Sequence, residues 1–104
     1  MSAVSVYAVF ASDEEARRIG RLMVEERLAA CVNLLGPILS IYRWQDVVEQ
    51  ADEVAAIFKT TDARAGALIA RIAALHSYDV PCLVTWPITH ICGVYADWVD
   101  DSVG

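Results

Sequence analysis

ACVNLLGPILSIYRW, residues 30–44, decides the architecture. It is apolar enough for a buried strand, yet Gly36-Pro37 interrupts it midway. Proline cannot donate to a sheet ladder, so a strand containing one belongs at an edge or a bulge. Tyr42 and Trp44 flank Arg43, and alternation puts the two rings on one face. A turn around Asp46–Asp52 returns the chain into EVAAIFKT, residues 53–60, to make a long hairpin. So apolar an edge invites pairing, which a second subunit would satisfy.

Outward from this hairpin, each flank is a strand and a helix. Residues 3–11, AVSVYAVFA, are β-branched and aromatic and suit a buried strand. Ser12 reads as an N-cap, Glu15 as its capping-box partner, and Asp13 and Glu14 favour the first turn. That helix is expected to run to about Ala29, with Ala16, Ile19, Leu22 and Met23 inward. Arg17, Arg18, Glu25 and Glu26 then face solvent. Thr61 and Asp62 open a second helix whose Ala65, Leu68, Ile69, Ile72 and Leu75 follow helical spacing. VPCLVTWPI, residues 80–88, is expected as a fourth strand, and Tyr95, Trp98 and Val99 mark a short terminal helix. The order β-α-β-β-α-β plus a helix is an α+β, ferredoxin-like pattern.

Length and composition set the bounds. The 104 residues fit one domain, residues 1–104. Hydrophobic residues make up 57% of the chain, above the usual share of about 45–50%. A small monomer has too little interior for them, so apolar surface is expected between subunits. The formal charge is −6 and Lys59 is the sole lysine, which argues against nucleic-acid and anionic-membrane partners. Three cysteines without CxxC spacing point to a reducing compartment, and so to the cytoplasm. The N-terminus lacks the basic region of a signal peptide, and no uncharged run is long enough to span a bilayer.

Phosphate loops, HExxH, GxSxG and paired metal-ligand cysteines are absent, and no nucleophile–base pair stands out. An enzyme is therefore not expected, nor an organic cofactor. Cys31 and Cys82 read first as small buried hydrophobes. His90 and Cys92 flank one residue and are candidates for a soft metal. His76, at the end of the second helix, suits either the helix dipole or a ligand role. Lys59 is a solvated strand end or a counter-charge for an anion.

RLAACVNLLGPILSIYRWQ, VAAIFKTT, LHSYDVP and YADWV occur in an order and at spacings that resemble the CutA family of divalent-cation tolerance proteins. The resemblance runs from about Val4 to Val99. It implies a ferredoxin-like subunit in a tight homotrimer similar to the PII signalling proteins, with a link to tolerance of divalent metals, copper above all. It also implies intersubunit crevices gathering residues at the positions of Cys31, Trp44, Lys59, His76, Tyr78 and Asp79. The chain departs from the family pattern at Ser77 (usually proline), Asp79 (Glu), Cys82 (Glu) and Asp46-Val47 (Gly-Lys), and in HICGVYADWV. A thiolate at Cys82 would favour softer ions. The expectation is a cytoplasmic homotrimer holding copper or another soft divalent ion through Cys31, His76, Cys82, His90 and Cys92, without turnover. The alternatives are a PII-like sensor for a small anionic metabolite, with Lys59 as counter-charge, and a trimeric interaction scaffold.

Overall fold

The computed structural model describes residues 2–104. Its elements are β1 (Ala3–Phe10), α1 (Asp13–Glu25), β2 (Cys31–Trp44), β3 (Val47–Thr61), α2 (Asp62–Leu75), β4 (Leu83–Pro87) and α3 (Gly93–Val103). The strands form one antiparallel sheet in the order β2-β3-β1-β4, the ferredoxin-like arrangement expected from the element order.

Helices α1 and α2 cover one sheet face. Alternation sends Val4, Val6, Ala8 and Phe10 of β1, with Val54, Ala56 and Phe58 of β3, toward them. Ala16, Ile19 and Met23 of α1 and Ala65, Leu68 and Ile72 of α2 complete that core. The opposite face is covered at one end only. There α3 sets Val99 and Val103 against Ala3 and Ala30, with Ile88 and Tyr95 at the margin.

Three boundaries differ from the sequence reading. Helix α1 stops at Glu25 instead of running to Ala29. Arg27 takes φ 60°, and the Arg27 and Leu28 amides turn back to the carbonyls of Val24 and Met23. This is a Schellman ending with arginine where glycine is usual, so no glycine in the sequence signals it. The hairpin turn is not a loop over Asp46–Asp52 but the pair Gln45-Asp46, with φ 49° and 67°. Two consecutive positive φ values are the mark of a type I′ turn, whose twist matches that of the strands it joins. Trp44 thus pairs with Val47, and β3 begins six residues earlier than expected. Finally, β4 covers Leu83–Pro87 and not 80–88, because residues 77–82 run as irregular backbone that touches β1 through a Val9 N–H bond to the Cys82 carbonyl (3.2 Å).

The bulge expected at Gly36-Pro37 is present. The ladder slips between Leu34 and Gly36, leaving Leu35 unpaired, and Gly36 takes φ 98°, a conformation that favours glycine. Strand β2 is also an edge strand, so Pro37 is accommodated. Beyond residue 38 the β2–β3 hairpin projects from the body as an arm, and the whole chain measures 45 Å in its longest dimension. Leu39, Ile41 and Val48 on one side of this arm, and Tyr42, Trp44 and Val47 on the other, are all exposed.

Candidate functional site

The open sheet face and the loop after α2 enclose a groove of about 810 Å³. Strands β1, β2 and β3 supply Tyr7, Ile38, Tyr42, Trp44, Glu49 and Glu53, while the loop adds Tyr78, Asp79 and Cys82. The register accounts for this membership: Ile38 pairs with Glu53, Tyr42 with Glu49 and Trp44 with Val47, so these side chains share a face.

The loop that forms the second wall is tied down by a buried carboxylate. The Ser12 hydroxyl caps α1 by accepting the Glu15 N–H (3.1 Å), as expected. The return half of the capping box is displaced: the Glu15 carboxylate accepts the Ala11 N–H (3.1 Å) and reaches Ser77. It accepts the Ser77 N–H at 2.8 Å and the Ser77 hydroxyl at 3.0 Å. Burial pushes the Glu15 carboxyl upward, but the Ser77 amide and hydroxyl, the Ala11 amide and nearby His76 outweigh it and hold the group below the ordinary carboxylate value.

His76 belongs to the same loop. Nε2 lies 2.8 Å from the Val9 carbonyl, and Nδ1 accepts the Tyr78 N–H at 3.0 Å. A carbonyl can only accept, so the proton sits on Nε2. The ring stacks on Phe10 (centroids 5.2 Å apart) and meets Tyr78 at 4.9 Å. Both nitrogens are occupied, so a metal would have to break one of these bonds. The position at the end of α2 gave no sign of this.

Tyr78 donates its phenol hydrogen to Glu53 Oε2 at 2.7 Å. Burial and then this bond push the phenol well above the ordinary tyrosine value, so Tyr78 remains a donor. Cys82, expected as a small buried hydrophobe, is exposed in the chain, although partial desolvation and then Glu53 push its thiol upward. That favours the protonated thiol over the thiolate a soft metal requires.

The remaining expected site residues lie elsewhere. Cys31 and Lys59 are cross-strand partners toward the α3 end of the sheet. Cys31 Sγ is 3.3 Å from the Tyr95 hydroxyl, whose pKa is pushed up to about 12 by burial and by this contact. Tyr95 in turn packs on Trp98 (5.4 Å). His90 and Cys92 occupy the exposed segment between β4 and α3; His90 Nδ1 is 3.3 Å from the Thr89 hydroxyl, and Cys92 stands at the N-cap of α3 without a side-chain capping bond. The set read together from the sequence is thus divided within one chain. Trp44, Tyr78, Asp79 and Cys82 line the groove, with His76 bracing its loop; Cys31 and Lys59 form a second group; His90 and Cys92 form a third. Among the described residues, no three His, Cys, Asp or Glu side chains gather to hold a metal ion, so one chain does not assemble a complete metal site.

Sequence reasoning missed Glu49, Glu53 and the tie from Glu15 to Ser77. Glu49 and Glu53 lay in or beside the misplaced turn, so their face was not defined. The S-x-x-E spacing at Ser12 pointed to a capping role for Glu15, which conceals the longer reach.

Fold and site together define a small antiparallel α+β domain with a projecting hairpin and a grooved open sheet face. The chain belongs to the CutA family: residues 4–102 match the model described as CutA1 divalent ion tolerance protein. The divalent-cation tolerance protein CutA of Thermus thermophilus is 44% identical over 93 residues, 89% of this chain and 90% of that protein. The structure of CutA from Archaeoglobus fulgidus, described there as periplasmic, superposes with a TM-score of 0.95 at 36% identity, covering 98% of this chain and 99% of that one. CutA from Xylella fastidiosa gives 0.96 at 30% identity, covering all of both chains. Among the described residues, no helix is long and apolar enough to cross a membrane.

Proposed function

We propose that this CutA chain works in divalent-cation tolerance as a cytoplasmic homotrimer that holds soft ions, copper foremost, without catalytic turnover. The observation that carries the assembly is the arm of β2 and β3, with exposed apolar side chains on both faces: Ile41 is 68% exposed, Val48 62%, Leu39 58% and Val47 56%. A lone two-stranded hairpin is marginal in water, and apolar residues on both of its faces call for cover on both. Three copies is the number the family resemblance implies.

Metal binding is supported by the family and by the donors available. Cys92 and His90 are exposed, and Cys31 is half-buried beside Tyr95. Thiolate and imidazole prefer copper and zinc to magnesium or calcium. Since one chain gathers no complete set, the ligands of an ion would be shared between copies. Light scattering should give a mass near three chains, and the reduced protein should bind Cu(I) or Zn more tightly than Mg or Ca. A stable monomer would overturn the assembly. Unchanged copper affinity in both Cys31→Ser and Cys92→Ser would remove these thiols as principal ligands.

A further inference from the structure

We propose that His76 is a proton-operated latch on the loop that walls the groove: the neutral ring holds residues 77–82 closed, and a proton on Nδ1 releases them. The latch consists of bonds within one chain, and none of them involves Cys31, His90 or Cys92, the donors proposed for an ion.

The ring is committed at both nitrogens. Nε2 carries the proton and donates to the Val9 carbonyl, and Nδ1 accepts the N–H of Tyr78, two residues further on. An acceptor serving the amide two residues ahead is the pattern by which asparagine and aspartate side chains make turns. Here an imidazole makes it, and an imidazole, unlike an asparagine, can be protonated near neutral pH. A proton on Nδ1 turns the acceptor into a donor that faces another donor at 3.0 Å, and the bond is lost.

The charges around the ring favour the released form once the proton is present. Glu15 of α1 attracts the protonated ring, and so does the carbonyl end of α2. Both Glu15 oxygens already serve Ser77, and one also accepts the Ala11 N–H. A cationic ring therefore competes with Ser77 for Glu15, and the ties at residues 77 and 78 go together. Strand β1 offers the ring only the Val9 carbonyl and the Phe10 face. The other titratable groups are Tyr78, with Glu53 of β3 behind it, and Asp79 and Cys82 further along the loop. Glu15 is held below the ordinary carboxylate value and the Tyr78 phenol above the tyrosine one, so neither changes charge where histidine does. Ser77, Asp79, Val80 and Cys82 are exposed and add no packing that would keep the loop in place.

The test is nuclear magnetic resonance of the reduced protein between about pH 7 and pH 5, where histidine titrates. The chain has two histidines, so the exposed His90 serves as reference. At neutral pH the His76 ring should carry its proton on Nε2. Toward the acid end the protection of the Ser77 and Tyr78 amides, corrected for intrinsic exchange, should fall at least about tenfold, one proton being taken up per opening. Amides in the β1–β3 ladder should keep theirs. His76→Asn supplies the Tyr78 N–H with an acceptor that cannot be protonated, and should abolish the fall. The parent alone gives the first readouts, so a variant that does not fold leaves the test intact. A proton on Nδ1 at neutral pH, protection that stays flat across the range, or an undiminished fall in a folded His76→Asn would each overturn the proposal.

Discussion

The Glu15 carboxylate holds both the backbone N–H (2.8 Å) and the hydroxyl (3.0 Å) of Ser77, a residue 62 positions further along the chain. One side chain therefore fixes the first turn of α1 to the loop that walls the groove. Glu15→Ala should cost about 1.5–3 kcal/mol, since hydrogen bonds to a charged acceptor are lost. Glu15→Gln should cost less. Chemical denaturation of the two variants measures both values; equal stability of Glu15→Ala and the parent would show that the tie is slack.

The same carboxylate sets a pH dependence. Its pKa is lower in the folded chain than in the unfolded one, so its contribution is complete above the ordinary carboxylate value and is lost as pH falls through the folded value. Stability measured between neutral and strongly acid pH should decline in the parent more steeply than in Glu15→Gln. Parallel curves would contradict the assignment.

Tyrosine behaves in the opposite sense. The phenols of Tyr78 and Tyr95 are raised, the latter to about 12, so their contribution is intact below the ordinary value and is lost as pH rises beyond it. Their ionisation should come late in an ultraviolet titration. Tyr78→Phe and Tyr95→Phe should each remove one late step.

Gln45 and Asp46 occupy the left-handed region without glycine, a conformation that costs L-residues about 1–2 kcal/mol each. The double substitution Gln45→Asn with Asp46→Gly supplies the preferred I′ pair. It should stabilise the hairpin by about 1 kcal/mol and raise the melting temperature by several degrees. A lower melting temperature would indicate that the turn's side chains make contacts of their own in the assembly.

On the arm, Ile41→Glu with Val48→Glu places charge on neighbouring exposed strands. If copies meet there, light scattering should show dissociation at micromolar concentration, with circular dichroism still reporting the folded sheet. An unchanged mass would place the contact elsewhere.

The element order and the core were legible because their patterns are local. Ile19 and Met23 of α1, and Leu68 and Ile72 of α2, stand at helical spacing, and Val4, Val6 and Ala8 alternate, as their burial confirms. The boundaries set by positive φ at Arg27, Gln45 and Asp46 were not legible, because these residues adopt it without glycine. The site was legible in part. Resemblance implied Trp44, Tyr78 and Asp79 at a crevice between subunits; within one chain they line the groove. Lys59 and Cys31 stand apart from it, and the role of His76 rests on a carbonyl of Val9, 67 residues away, which no periodicity encodes.

The unpaired Leu35 has a consequence for how the groove's chemistry is written. Before it, odd-numbered side chains of β2 share the open face with Cys31; after it, even-numbered ones do. The extra residue inverts the parity of the strand. Were Leu35 instead paired in a regular ladder, Leu39, Ile41 and Arg43 would replace Ile38, Tyr42 and Trp44 along the groove, exchanging two aromatic rings for an aliphatic wall and a cation. A single frame-setting position thus governs which of two interleaved messages the same strand displays.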